Sequence, residues 1–310
     1  MQKHSEQKPV NRKVIEKAPS ISIVIPTYNR GKVLIDTLQY LLRLSTAPDQ
    51  IIVVDQTVDP SSDVKKKLKE WHHSTVIDWI VLPQPSVVAA MNVGLQNCNS
   101  DYVLFLDDDI QPIEGLIENY LAMTANQEYG IIAGRVIQPW DNPDGDQTSE
   151  EFSFNSRENS NAPFFIGANV LVNRRIALEL GGFDENFKGT AHDYEREFSD
   201  RVLSTNYQIG YCGSAAVFHL KEQTGGIRTY GHFLKTIKPH HAVGAYYYIL
   251  RSKRVKHKAR KILSRLRQRV VTRTHLTQPW WIPLTLVGDF AGIVWALALY
   301  LSGPALLSQK

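Results

Sequence analysis

Three consecutive carboxylates, Asp107, Asp108 and Asp109, directly follow the apolar run Tyr102-Val-Leu-Phe-Leu106. Side chains alternate along a strand, so Asp107 and Asp109 are expected on one side and Asp108 on the other. Carboxylates this close repel one another unless a cation neutralises them. Hard oxygen ligands on a short acidic turn suit Mg2+ or Mn2+, which keep open positions for phosphate oxygens. A solvated acidic turn is the competing reading. Two further strand ends add candidates: Pro26-Thr-Tyr-Asn-Arg30 after Ile21–Ile25, and Asp55-Gln56 after Ile51–Val54. A tyrosine ring can cover a planar base, and an acid can accept hydrogen bonds from ring N–H groups. Taken singly these are ordinary turn residues. On parallel neighbouring strands, Tyr28, Asn29, Asp55 and the acidic triplet are expected to share one crevice.

The elements that must position them alternate. Apolar runs at Ile21–Ile25, Ile51–Val54, Val76–Leu82 and Tyr102–Leu106 read as strands, with helical spacing over Lys32–Leu44, Val64–Trp71 and Val87–Asn97 between them. A βαβαβαβ series predicts an α/β fold with a mostly parallel sheet and helices on both faces. Near-continuous apolar strands suit a sheet buried on both sides. A helix over Gly115–Ala125, the segment Gly130–Gly134, helices over Arg174–Leu180 and Tyr194–Ser204, and a last strand at Ala215–Phe218 continue the body. Gln138–Pro163 is polar and reads as a long surface loop, with Trp140 at its start as a candidate cover for a bound ligand.

Charge separates the body from the C-terminal region. The 310 residues carry a net charge of +4. Residues 1–222 hold 20 Lys+Arg and 30 Asp+Glu, whereas residues 223–310 hold 15 Lys+Arg and Asp289 as their one acid. Arg251–Arg273 contains eleven Lys+Arg and no acid, with apolar residues at helical spacing: a basic amphipathic helix. After Pro279-Trp-Trp281 comes Ile282–Leu301, apolar and long enough to cross a bilayer. Asp289 near its centre is costly in a span, and Pro283 and Gly288 weaken the helix, so a re-entrant or interfacial helix is the competing form. The division is thus a polar N-terminal tail over 1–20, a body over 21–220 and a membrane-associating region over 221–310. Met1–Ser20 lacks an apolar core, so no secretory signal is expected, and two cysteines, Cys98 and Cys212, form no disulfide framework.

Ile23-Val-Ile-Pro-Thr-Tyr-Asn-Arg30, Ile52-Val-Val-Asp55, Ala89-Ala-Met-Asn-Val-Gly94, Phe105-Leu-Asp-Asp-Asp109, Gly181-Gly-Phe-Asp-Glu185, His192-Asp193 and Val217-Phe-His219 occur in this order. In these pieces the chain resembles the family 2 glycosyltransferases, inverting nucleotide-sugar enzymes with the GT-A fold. The resemblance implies that Pro26, Thr27, Tyr28, Asn29, Arg30 and Asp55 lie at the nucleotide-sugar site, together with Asn92, Asp107, Asp108, Gly167, Ala168 and Asn169. It implies Asp107, Asp109 and His219 as metal ligands and Asp193 as catalytic base. The residue-level alternatives are a helix N-cap for Asp193 and a structural histidine for His219. Two positions depart from the family pattern. Met91 stands where a basic residue is usual, removing one contact to the donor phosphates, and His192 replaces the first acid of a usual pair.

The chemistry is set by what sugar transfer requires. A nucleoside diphosphate leaves with developing negative charge that a divalent ion stabilises, and the acceptor hydroxyl requires a carboxylate to take its proton. Direct displacement with one base inverts the anomeric carbon. The expectation is a metal-dependent inverting glycosyltransferase using Mg2+ or Mn2+. It moves a sugar from a UDP-, GDP- or dTDP-linked donor to a glycan or lipid-linked acceptor, as in cell-surface polysaccharide synthesis. Its place is the cytoplasmic face of a membrane, held single-pass or monotopically by the C-terminal region, without nucleic acid as a partner. The alternative is a non-catalytic nucleotide-sugar sensor or scaffold at the membrane. A sugar-phosphate nucleotidyltransferase would need a Gly-rich loop that Pro26–Arg30 does not provide.

Overall fold

The computed structural model describes residues 18–125, 127–145, 152–226 and 232–308. Most of the polar tail at 1–20 and the centre of the 138–163 loop lie outside the described residues. The strands are β1 (Ile21–Thr27), β2 (Gln50–Asp55), β3 (Asp78–Val81), β4 (Tyr102–Leu106), β5 (Ile110–Pro112), β6 (Ile131–Ile137), β7 (Ser160–Asn161), β8 (Asn169–Asn173) and β9 (Ile209–His219). The helices are α1 (Lys32–Leu41), α2 (Ser62–His73), α3 (Val87–Asn97), α4 (Leu116–Thr124), α5 (Arg174–Glu179), α6 (Tyr194–Val202), α7 (Val243–Arg251), α8 (Lys258–Val270), α9 (Arg273–Thr277) and α10 (Ile282–Ser302).

They form one sheet in the order β3-β2-β1-β4-β8-β6-β9-β5, with β7 paired to β9. β3, β2, β1 and β4 are parallel neighbours, as the alternation predicts. β8 then runs antiparallel to both β4 and β6, and β5 runs antiparallel to β9. These reversals were not legible as alternation, because β8 has no helix between itself and the loop that precedes it.

Successive residues of the central strands supply opposite faces. Val24, Ile52, Val54, Val103 and Phe105 belong to one core, packed with α3, α6 and α7 residues. Ile23, Ile25, Ile51, Val53, Leu104 and Leu106 belong to the other, beneath α1, α2 and α4. Gly94 lets α3 lie close on β1, since a Cβ there would meet Val24 Cγ1 at 2.2 Å.

The C-terminal helices are not a detached appendage. Ala242, Val243, Tyr246, Tyr247, Ile249 and Ala296 sit in the same core as Val24 and Phe105. Three successive tyrosines of α7 each donate to an acid: Tyr246 to Asp289 at 2.8 Å, Tyr247 to Asp184 at 2.7 Å and Tyr248 to Asp200 at 3.1 Å. The basic segment folds as a shorter helix than the Arg251–Arg273 reading, because His257 starts α8 from a left-handed conformation at φ 53°.

α10 has two unlike faces. Thr285, Gly288, Asp289, Gly292 and Ala296 are buried at helical spacing. A Cβ on Gly292 would meet Ala242 Cβ at 2.7 Å, so the glycine permits the close approach. Leu286, Val287, Phe290, Val294, Leu297 and Leu301 on the other side are exposed. Asp289 is fully buried, where it accepts from Tyr246 and pairs with Arg269 Nε at 2.9 Å. The two features read as weaknesses of this helix therefore have positive roles. Pro283 lies in the first turn, where its missing N–H costs nothing, and Gly288 packs at Thr236.

Loop 138–163 is more anchored than a free surface loop. Val136 N donates to Phe154 O at 3.0 Å, and buried Asn155 accepts from Arg135 Nε at 3.0 Å. Tyr211 OH donates to Ser156 O at 2.7 Å. Trp140 stays 73% exposed.

Candidate active site

The acidic triplet sits where β4 ends and the chain reverses direction into β5. Because β5 pairs with the end of β9, Ile110 is opposite His219, and the histidine is drawn beside the acids. His219 Nε2 lies 3.5 Å from Asp107 Oδ2 and 3.3 Å from Asp109 Oδ1. One donor atom from each of Asp107, Asp109 and His219 falls within 4.8 Å of the others. Asp109 Oδ1 is buried and makes no hydrogen bond among the described residues. Two carboxylates and an imidazole around an orphaned buried oxygen fit a divalent cation.

The three acids do not divide between two sides as strand alternation predicts: turned toward Arg30, Asp108 lines the same cleft. Arg30 Nε donates to its Oδ1 at 2.9 Å, and Arg30 Nη2 lies 3.4 Å from Asp109 Oδ2. Arg30 Nη1 donates to Glu222 O and Thr224 O at 2.9 and 2.7 Å. This one guanidinium therefore ties the acidic turn to the segment after β9. Burial pushes Asp108 up to about 7, with Arg30 opposing and Asp107 and Asp109 adding to the rise. Burial also works against ionised Asp109, but His219, Arg30 and the Glu222 N–H outweigh it and hold the carboxyl below its ordinary value.

A cleft of about 1040 Å³ opens from this turn. Pro26, Thr27, Tyr28, Arg30 and Gln56 line one end, Asp107, Asp108, Asp109 and His219 its floor, and Gly167 and Ala168 a wall. The antiparallel pairing of Leu106 with Asn169 brings that wall beside Asp107.

Asp193 faces the same cleft from the start of α6. It occupies the N-cap position at φ 69°, yet its side chain makes no capping hydrogen bond. Left-handed backbone at a non-glycine residue costs on the order of 1–3 kcal/mol and persists where the surroundings enforce it. Here it turns the carboxylate from the helix N–H groups toward His192 Nδ1 at 3.0 Å and Arg196 Nε at 3.2 Å. Burial favours the neutral acid, but the His192 hydrogen bond and the charges of His192, Arg265 and Arg196 prevail and depress the carboxyl below its ordinary value. It is a carboxylate at neutral pH.

Four residues expected at the crevice do not line it. Asp55 is buried behind it, where Oδ1 accepts from Thr57 N at 2.9 Å and Oδ2 from Trp79 Nε1 at 3.2 Å. Asn29 is exposed at the turn, its N–H donating to Thr57 Oγ1. Asn92 spans from α3 to the Phe183 backbone, accepting from Phe183 N at 2.8 Å and donating to Phe183 O at 2.9 Å. Asn169 donates to Arg135 O and Ala215 O and accepts from Tyr120 OH. Both asparagines hydrogen-bond buried backbone groups. Met91 is buried in the core and does not line the cleft.

Sequence reasoning missed the opposite wall. Arg265 and Arg269 of α8 line the cleft, four residues apart on one helical face, as do Lys221, His232 and Phe233. The i,i+4 spacing was visible, but nothing local distinguished these arginines from those facing solvent. Arg269 stands over the Phe233 ring at 5.2 Å and donates to Phe233 O at 2.7 Å.

Residues 22–181 match the family described as Glycosyl transferase family 2, which is more than half of the chain. The O-antigen chain rhamnosyltransferase WbaN of Salmonella anatum is 25% identical over 223 residues, 66% of this chain and 68% of that protein. The chondroitin synthase of Escherichia coli is 28% identical over 241 residues, 64% of this chain but 34% of that longer protein. Among solved structures, the mannosyltransferase PcManGT of Pyrobaculum calidifontis, in complex with GDP-Man and Mn2+, superposes with a TM-score of 0.57 at 16% identity. The match covers 93% of this chain and 80% of that one. At that identity the likeness speaks for the fold alone.

Proposed function

The chain belongs to glycosyl transferase family 2 and is a glycosyltransferase of GT-A fold, and on that premise we propose that it transfers a sugar from a nucleoside-diphosphate donor with inversion at the anomeric carbon. The observation that carries the reading is one cleft with Asp107, Asp109 and His219 on its floor and an ionised Asp193 on its wall. Pro26, Thr27 and Tyr28 line the end that receives the nucleoside. Asp107, Asp109 and His219 hold a divalent cation, which when bound supplies Lewis-acid neutralisation of the leaving diphosphate. Arg30 fixes Asp108 and Asp109 so that the ligand oxygens need not reorganise. Gly167 and Ala168 leave room for the sugar beside Asp107. Asp193 accepts the proton of the acceptor hydroxyl, and His192 and Arg196 hold its carboxylate oriented and charged for that step.

The C-terminal region supports action at a membrane surface. α10 belongs to an apolar stretch over Pro279–Ser302 whose mean hydropathy reaches 1.8 over 18 residues. Its polar residue is consumed inside the protein by Arg269 and Tyr246, while its apolar side is exposed. A helix packed on the catalytic body along one face suits a monotopic, in-plane attachment better than a span. Trp280 and the exposed lysines and arginines of α8 suit an anionic interface. Such a placement, with O-antigen rhamnosyltransferase among the relatives, supports a glycan or lipid-linked acceptor in cell-surface polysaccharide synthesis.

A thermal-shift and donor-hydrolysis panel of UDP-, GDP- and dTDP-sugars, each with Mg2+, Mn2+ or EDTA, tests the reading. One donor class is expected to raise the melting temperature and release nucleoside diphosphate in a cation-dependent manner. No response to any donor contradicts it.

A further inference from the structure

Arg265 stands apart from the other charged residues of the cleft. Its side chain is partly buried over the Tyr246 ring, with Cζ 5.6 Å from the ring centroid. Its Nε is buried and makes no hydrogen bond among the described residues. Arg30, Arg196, Arg201, Arg251 and Arg269 each have a carboxylate within 4.0 Å. A partly desolvated guanidinium facing a cleft, with no hydrogen-bonding partner among the described residues, is poised for an incoming anion, and its planar fork matches phosphate.

The place of Arg265 says which substrate brings that anion. Arg265 stacks on Tyr246 of α7, and the same helix packs at Gly244 against the backbone of His192, the neighbour of Asp193, whose carboxylate feels the Arg265 charge. It therefore belongs to the side where the acceptor hydroxyl meets its base. The same side leads to the apolar surface. Phe233 lines the cleft and is 47% exposed. One residue on, Leu234 O accepts from Thr285 Oγ1 of α10 at 2.7 Å, and exposed Ile237 lies beside Gly288. Residues 232–237 thus join the cationic wall of the cleft to the helix whose outward face is apolar.

We infer that the acceptor is a sugar carried on a lipid phosphate, whose phosphate is received by Arg265 while its apolar chain follows Phe233 and Ile237 toward the exposed face of α10. The inference rests on the proposed transfer site and adds the acceptor class to it. Arg269, tied to Asp289 and Phe233 O, holds the wall on which Arg265 stands.

The test uses the full chain in detergent micelles, with hexadecyl phosphate, hexadecanol and inorganic phosphate as probes and Mn2+–nucleoside diphosphate as the donor-side control. A charge-assisted, bidentate contact predicts that Arg265→Ala weakens hexadecyl phosphate binding about ten- to a hundredfold. Arg265→Lys should recover part of the loss, and neither variant should change nucleoside diphosphate affinity. Hexadecanol and inorganic phosphate should each bind the native protein far more weakly than the probe combining both parts. Equal hexadecyl phosphate binding by native and Arg265→Ala proteins overturns the inference. So does a loss of nucleoside diphosphate affinity in Arg265→Ala, which would assign the arginine to the donor. Inorganic phosphate binding as tightly as the alkyl ester removes the lipid. If the native protein binds no nucleoside diphosphate with Mn2+, the transfer reading itself fails and the acceptor assignment with it.

Discussion

The two sides of the cleft are built by opposite means. The floor stands on strand ends: Asp107 to Asp109 follow β4, His219 ends β9, and Arg30 binds two of the acids and two carbonyls besides. The α8 wall stands on a helix far away in the chain, held by the buried Arg269–Asp289 pair, by Arg269 on Phe233 O and by Ile262 and Leu266 packed against the core. The floor is a preorganised cradle in which Arg30 fixes the acids while Asp109 Oδ1 is left open to a cation. The wall presents Arg265 with no hydrogen-bonding partner among the described residues. A fixed electrostatic cradle suits a step that must develop charge in one place, whereas an unpaired cation suits recognition of a substrate that arrives with its own charge.

The sharpest way to break this contrast is at the joint of the wall. Arg269→Ala leaves Asp289 buried with only Tyr246, and removing one partner of a buried pair typically costs about 3–5 kcal/mol. Chemical denaturation should register a loss of that order. A loss within about 0.5 kcal/mol, the scatter of ordinary surface changes, would mean that α10 is not docked through Asp289.

On the floor, Asp109→Ala removes a buried ligand oxygen without touching α8. Transfer is expected to fall by about a hundred- to a thousandfold, the range for losing one preorganised electrostatic group. Dependence on Mn2+ concentration should shift to higher values. Unchanged cation dependence would remove Asp109 from the metal site.

The smallest effect concerns the setting of Asp193 and appears only in acid. Asp193 is depressed below its ordinary value of 3.8 by the His192 hydrogen bond and surrounding cations. A depressed carboxylate stabilises the fold above its unfolded value, and that stabilisation is lost as pH falls through the folded value. The native base should therefore stay ionised across mildly acidic pH. His192→Ala removes the strongest opposing partner, so the acid limb of the pH–rate profile should move toward neutrality with little change at alkaline pH. An unmoved limb would show that His192 does not tune the base.

This contrast also explains what could be read from the chain. The parallel strands β1 to β4 and the acidic turn were legible because alternation and adjacency are local properties. The convergence of His219 on Asp109 was legible only through the family resemblance, since it depends on β5 folding back against the end of β9. Asn92 and Asn169 lie in motif positions, yet what decides their role is buried backbone at Phe183, Arg135 and Ala215 that only the fold brings near. The charge of the tail was plain, but its use was divided. Arg265 and Arg269 turn into the cleft while Arg260, Lys261 and Arg267 face solvent on the same helix. Asp289, an apparent flaw in an apolar helix, is the residue by which that helix is docked.

The central claim is that a single cleft binds donor on the acidic floor and deprotonates acceptor at Asp193. Asp193→Asn separates the two directly, in a side-by-side measurement of donor binding and sugar transfer with Mn2+. Donor affinity within about twofold of native, with transfer reduced about a hundred- to ten-thousandfold as for loss of a general base, is the expected result. Near-native transfer by Asp193→Asn would contradict the account.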